Sequence, residues 1–81
     1  MSATELLRML RAQPFAPFRV HISGGTIYEI RHPDRVIVLA AAVIVAFPDP
    51  SHPEMASGWE MVALRYMIRL EPLLSQAGLA N

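Results

Sequence analysis

VIVLAAAVIVAF, the run from Val36 to Phe47, is the longest apolar stretch of the chain. Its Val and Ile residues favour strands over helices. The run therefore predicts two strands, residues 36–39 and 43–47, joined by residues 40–42. Because neither strand alternates apolar with polar residues, we expect both faces of each strand to be covered. The alternative is one buried helix that passes through the alanines.

A β-hairpin is predicted before this run. Apolar residues at positions 18, 20 and 22 alternate with polar residues at positions 19, 21 and 23, which indicates a half-buried strand. A three-residue loop ending at Gly25 places Val20 opposite Tyr28 and Phe18 opposite Ile30, whereas a two-residue loop would mix the faces. The pattern therefore predicts a bulged turn with Gly25 at positive φ.

The N-terminus predicts a short helix over about residues 3–13. Ser2 and Glu5 fit a capping box, and the leucines at positions 6, 7 and 10 share one face. Pro14 ends the helix because proline disfavours helical backbone in the residue before it. A helix this short needs a surface to pack on.

Further short elements follow in the second half of the chain. They are a turn at 32–35, a Pro-rich loop at 48–58, a strand at 59–64, a corner at 65–66, a strand at 67–70 and a flexible tail at 73–81. We therefore predict a single domain over residues 1–81 that is mainly β (α+β). An N-terminal short helix packs on about five antiparallel strands, over about residues 17–71, which form a strongly bent sheet or a small SH3- or Sm-like barrel.

The composition excludes several classes of protein. Eighty-one residues provide one core, and 53% hydrophobic against 17% charged residues excludes intrinsic disorder. The absence of Cys excludes disulfides, thiolate metal sites and Cys nucleophiles. Seven basic and seven acidic side chains give zero net charge, unlike a nucleic-acid packing protein. The start has no secretory signal, and no apolar run approaches the about 20 residues of a membrane helix, so we expect a cytoplasmic protein.

Several stretches together resemble a group of short uncharacterised bacterial proteins. They are PFAPFR at 14–19, the glycine pair at 24–25, IRHPD at 30–34 and IRLEP at 68–72. The group's pattern is roughly PFxPFRxxxxDGxxxxxxHPE with a closing xIxRLEP, and the resemblance covers about residues 7–72. Gly24 stands where the group usually has Asp, and residues 40–42 replace a more polar turn. The resemblance implies no function. More distantly, the order of elements is similar to that of Sm-like barrels, which include bacterial RNA chaperones; this is an analogy of fold alone.

Metal binding and catalysis are not expected. The strongest candidate metal ligands lie in two turns: His32, Asp34, Asp49, His52 and Glu54. Their spacing matches neither a helical nor a zinc-finger site, and both His residues precede Pro, as in ordinary turns. The chain has no Gly-x-Ser-x-Gly motif, no phosphate-binding loop and no paired carboxylates on one element. We therefore predict a protein that is not an enzyme and has no cofactor.

Two sets of side chains are candidates for binding a partner. Trp59 and Met61 lie in the phase opposite to the inward residues of their strand, and exposed Trp and Met are enriched at interfaces. The alternative is that the helix or the tail covers them. The candidate polyanion contacts are Arg19, Arg31 and Arg35. Alternatively these arginines form a solvated face with Glu29 as partner, and His21 beside them pairs with a carboxylate.

The expected function is a non-enzymatic interaction or assembly module. A domain this small has little core to stabilise it, and the chain is apolar for its size, so we predict self-association, most simply as a dimer. Another protein could take the place of the second copy. RNA or other nucleic-acid binding is the less favoured alternative, and no membrane contact is expected.

Overall fold

The computed structural model of the protein describes residues 2–73, which form one helix and six strands. The elements in chain order are α1 (Ala3–Arg11), β1 (Phe18–Ile22), β2 (Ile27–Ile30), β3 (Val36–Val38), β4 (Ala42–Pro48), β5 (Ala56–Ala63) and β6 (Met67–Pro72). Two 3-10 turns, Pro33–Arg35 and Leu64–Tyr66, interrupt the strands. The prediction of a mainly β protein with a short N-terminal helix is confirmed.

The strands form two antiparallel sheets of three strands each. The first sheet has the order β2-β1-β6 and the second has the order β3-β4-β5. Among residues 2–73 no strand pairing joins the two sheets, so the described strands do not form a closed barrel. There are six strands rather than about five, and the 3-10 turn at Leu64–Tyr66 takes the chain from the second sheet into the first.

Helix α1 begins with the predicted capping box. The Ser2 hydroxyl accepts a hydrogen bond from the Glu5 backbone N–H at 3.2 Å, and the Glu5 carboxylate accepts one from the Ser2 backbone N–H at 3.1 Å. The helix ends at Arg11, two residues earlier than predicted, because Ala12 already has extended backbone ahead of Pro14. Leu6 and Leu10 are the buried residues of the helix.

The first hairpin has the predicted register. Phe18 pairs with Ile30 and Val20 pairs with Tyr28. The Gly25 N–H donates to the Ile22 carbonyl at 3.0 Å, and Gly25 has a φ of +102°. Gly24 also has positive φ, so the loop uses both glycines for backbone that other residues rarely adopt.

The valine-rich run is two strands, as predicted, and not a single helix. Val36 pairs with Val45, and the Leu39 N–H donates to the Ala42 carbonyl at 2.8 Å, so the connection is a tight loop. The expectation that both faces of these strands are covered is wrong for residues 2–73. Val43 and Val45 on the inward face are buried and Val36 and Val38 are half-buried, but Ile37, on the outward face, is 57% exposed.

Strand β5 is longer at its start than predicted. Ala56 pairs with Pro48 of β4, and Gly58 pairs with Phe47, so part of the segment expected to be a loop belongs to the second sheet. The loop proper is residues 49–55. Leu64, expected at the end of this strand, lies instead in the 3-10 turn with its side chain buried.

The core lies between the two sheets and under the helix. Both sheets and α1 contribute to one cluster: Leu6, Leu10, Phe18, Val20, Ile22, Ile30, Val43, Val45, Leu64 and Met67. Because all these side chains are apolar, the core of the described residues contains no buried polar side chain.

Leu73 is the last residue described. The flexible tail was predicted to begin there, but Leu73 is buried and its N–H donates to the Pro17 carbonyl at 3.0 Å. The rest of the predicted tail, residues 74–81, lies outside the described residues. None of the helices formed by residues 2–73 has the length and apolar character needed to cross a bilayer.

Candidate interaction surfaces

The outward side of the second sheet is apolar, and we call it the apolar face. Its central row crosses all three strands, because Ile37 pairs with Ile44 and Ile44 pairs with Met61. In the next row Ala46 pairs with Trp59. Side chains of directly paired residues lie on the same side of a sheet. Ile37, Trp59 and Met61 are 57%, 61% and 56% exposed, so residues 2–73 leave these side chains largely open to solvent.

None of the described strand residues that form this face has a charged side chain. The outward residues of the paired rows are Ile37, Ala42, Ile44, Ala46, Trp59, Met61 and Ala63. Glu60 is the only charged residue in β3, β4 and β5. It pairs with Val45, which is buried, so it lies in the inward phase. There its carboxylate accepts a hydrogen bond from the Tyr28 hydroxyl, which raises the pKa of Tyr28 to about 12.

The outward side of the first sheet has the opposite character, and we call it the ion-paired face. Glu29 pairs with Arg19 at 3.1 Å and with Arg31 at 3.0 Å. These hydrogen bonds lower the pKa of the Glu29 carboxyl. On β6, Glu71 bonds His21 at 2.8 Å, and this bond lowers the pKa of Glu71. The predicted carboxylate partner of His21 is therefore present.

The three arginines singled out as polyanion contacts are related in pairs: Arg19 and Arg31 share a carboxylate, and Arg31 and Arg35 line one cleft. Arg19 and Arg31 lie on the ion-paired face and share Glu29. Arg35 follows in the 3-10 turn, and its guanidinium donates to the Pro53 carbonyl. Tyr28 does not offer a free ring for stacking on a base, because its ring stacks on Phe47 with centroids 6.1 Å apart.

The histidines and carboxylates of the two turns are not gathered into a metal site. In the part of the chain from 2 to 73, no three His, Asp or Glu side chains are grouped as metal ligands would be. The Asp49 carboxylate instead accepts hydrogen bonds from the backbone N–H groups of Ser51 and His52, at 2.8 and 3.1 Å. This side chain therefore organises its own loop.

Sequence reasoning found half of the apolar face. Trp59 and Met61 were predicted to point outward because they alternate with inward residues, and both are exposed. Ile37 and Ile44 were not singled out. They lie in strands that are apolar at every position, so alternation gives no signal of which side chains point outward.

Comparison of the chain with protein-family models, with curated proteins and with solved structures gives no match. A proposal about function therefore depends on the surfaces described above.

Proposed function

We propose that the protein is a non-enzymatic assembly module whose apolar face packs against the same face of a second copy. The observation that supports this proposal is the row of Ile37, Ile44 and Met61, continuous across three strands and free of charge. An apolar face of this kind buries no unpaired charge when another apolar sheet covers it.

A second copy suits this face because the contact is self-complementary. In a two-fold dimer each residue of the patch meets the patch of the partner, and two stacked sheets pack about 10 Å apart. With side chains on the order of 200 Å², the exposed fractions of Ile37, Trp59 and Met61 offer about 350 Å² on each copy. Two copies would bury about 700 Å² through these three side chains, so the contact is expected to be weak and reversible.

The direct test is the mass of the protein in solution. We expect sedimentation equilibrium to show a monomer–dimer equilibrium, and Met61→Glu to weaken it by at least about 100-fold, because each dimer would bury two unpaired carboxylates. Ile68→Glu is the matched control, since Ile68 is 66% exposed but belongs to the first sheet. A concentration-independent monomer mass, or equal weakening by both variants, would contradict the proposal.

A second variant distinguishes a dimer whose apolar faces pack together from a dimer whose β5 edges pair through backbone hydrogen bonds. The Leu64 N–H donates to the Ala41 carbonyl at 2.9 Å, so the next pair, Ala42 with Ala63, is a non-hydrogen-bonded one. The Ala63 N–H therefore points away from β4, and its φ of −66° suits proline. Ala63 lies at the end of the apolar face and the proline ring is apolar, so Ala63→Pro should leave most of a face-to-face dimer's affinity. Dissociation by this variant would indicate that β5 pairs edge to edge.

Nucleic-acid binding is the second candidate function. The ion-paired face has three arginines, Arg19, Arg31 and Arg69, against two carboxylates, Glu29 and Glu71, and thus one positive charge in excess. The order of elements, which is similar to that of Sm-like barrels, also motivates this second candidate as an analogy of fold. Binding through phosphate contacts should weaken steeply with salt. A gel shift with mixed RNA at low and high salt tests it, and Arg31→Glu should abolish the shift.

A further inference from the structure

A cleft of about 380 Å³ opens between β2 of the first sheet and β4 of the second. It is within the size range of ligand pockets. Apolar side chains and two arginines are among the residues that line it: Tyr28, Ile30, Arg31, Arg35, Val45 and Phe47. Val45 and Phe47 are in the inward phase of β4, so the cleft and the apolar face lie on opposite sides of that strand.

The β2 side of the cleft is a free strand edge. β2 is the outer strand of its sheet, and in the described part of the chain it pairs with β1 alone. The Ile22 N–H donates to the Thr26 carbonyl, so these two residues form a hydrogen-bonded pair. Hydrogen-bonded and non-hydrogen-bonded pairs alternate along an antiparallel ladder, and Ile27 and Glu29 belong to the non-hydrogen-bonded pairs. Their backbone N–H and C=O groups therefore point away from β1 and are available to another extended chain.

The charged side chains that line the cleft are Arg31, Arg35 and Glu29, so the arginines exceed the carboxylate by one. Arg35 donates to the Pro53 carbonyl, but within residues 2–73 no carboxylate lies within 4.0 Å of its guanidinium. Arg31 has a carboxylate partner, Glu29, which it shares with Arg19. A ligand with a carboxylate would complement Arg35 better than any described residue does.

We propose that this cleft binds an extended acidic segment of a partner protein. The segment would add as a strand to β2, through the backbone of Ile27 and Glu29. One apolar side chain would enter the cleft beside Val45 and Phe47, and a carboxylate would pair with Arg35. This inference does not depend on the proposed function, because the two surfaces use opposite sides of β4.

The test uses two fluorescein-labelled peptides and the full chain. The acidic probe is fluorescein-Ser-Val-Asp-Val-Glu-Val-Ser-amide, labelled at its N-terminus, and the control probe has Lys in place of Asp and Glu. We expect the acidic peptide to bind at least about tenfold more tightly by fluorescence polarisation. Arg35→Gln should remove that preference, whereas Arg35→Lys should keep most of it. Arg8→Gln, on the exposed side of α1, is the control.

Amide chemical shifts locate the binding site. Titration with the acidic peptide should move the amide signals of Ile27 and Glu29, and methylation of the peptide's backbone nitrogens should abolish binding because the added strand loses its donors. Equal affinity for both peptides, no binding at about 1 mM, or shifts confined to Trp59 and Met61 would overturn the proposal. Met61→Glu, which tests the apolar face, should leave peptide binding unchanged, so failures of the two proposals are distinguishable.

Discussion

Replacing Gly25 with Ala tests whether the first hairpin turn depends on backbone conformation alone. Gly25 has a φ of +102°, and a Cβ built there would meet no atom within 4 Å. The substitution therefore adds no steric contact and leaves only the cost of holding a residue with a Cβ at positive φ. That cost is about 1–2 kcal/mol. For a domain of this size it lowers Tm by about 5–15 °C.

Gly58 provides the matched control. It lies in β5 and is not one of the glycines with positive φ. A Cβ there would be 4.0 Å from the Phe47 ring, which is an ordinary contact. Gly58→Ala should leave stability unchanged or raise it by about 0.5 kcal/mol, because alanine restricts the unfolded chain. The same chemical change is therefore expected to act in different directions at the two sites.

The assay is thermal and urea unfolding followed by circular dichroism, at one fixed protein concentration because self-association would shift Tm. Chemical synthesis with D-Ala at position 25 adds a further arm, since the mirror-image residue prefers positive φ. It should restore the stability lost in Gly25→Ala. If Gly25→Ala melts at the wild-type temperature, or if D-Ala destabilises as much as L-Ala, the strain explanation is refuted.

Three further outcomes are expected. Ser2→Ala should lower the free energy of unfolding by about 1 kcal/mol in urea titrations, because it removes the helix cap. The hydrogen bond from His21 lowers the pKa of Glu71 below its ordinary value of 4.5. The stabilisation of the fold by this bond is therefore complete above pH 4.5 and is lost as the pH falls through the lower pKa that Glu71 has in the folded chain. Glu71→Gln should flatten the acid side of the stability–pH curve. The pKa of Tyr28 is raised from 10.0 to about 12 in the folded chain. As the pH rises, the unfolded chain therefore loses the hydroxyl proton of Tyr28 before the folded chain does, and the free energy of unfolding should fall between pH 10 and about 12. Absorbance titration at alkaline pH in a Tyr66→Phe background checks the value, and Tyr28→Phe should abolish this part of the pH dependence.

The first hairpin could be predicted in detail because its two faces differ. Arg19 and His21 alternate with buried residues, and a slip of one residue would have exchanged the two sets. One register therefore kept the apolar side chains together, and that register also fixed the loop length and the need for glycine. Where a strand has a polar and an apolar side, the sequence contains enough information to set its pairing.

For the second sheet, the strands could be predicted from the sequence but the side that faces the core could not. Residues 36–47 are apolar at both phases, so the sequence indicates strands but not which side the core covers. Residues 2–73 cover one side alone. An apolar side chain indicates that water is unfavourable around it, but not whether the same chain or another molecule replaces that water.

The start of β5 was missed for a different reason. Ala56 and Gly58 follow a Pro-rich segment and have weak strand propensity, which favoured a loop. They are extended because the backbone of β4 at Phe47 and Pro48 offers them a partner. Such pairing depends on the position of another strand, which local composition does not report.

The contrast between the two outward faces also limits how copies of this chain would assemble. If the apolar faces meet around a two-fold axis, the ion-paired faces of both copies point to water and the contact closes on itself. Pairing of β3 or β5 edges would leave the apolar face exposed and extend it, and an open contact of that kind continues into a filament. Of these two arrangements, face-to-face packing is the one that covers Ile37, Trp59 and Met61 and keeps the ion pairs of the first sheet in solvent. The absence of charge on the outward rows of this sheet, with Glu60 in the inward phase and bonded to Tyr28, is what that arrangement requires.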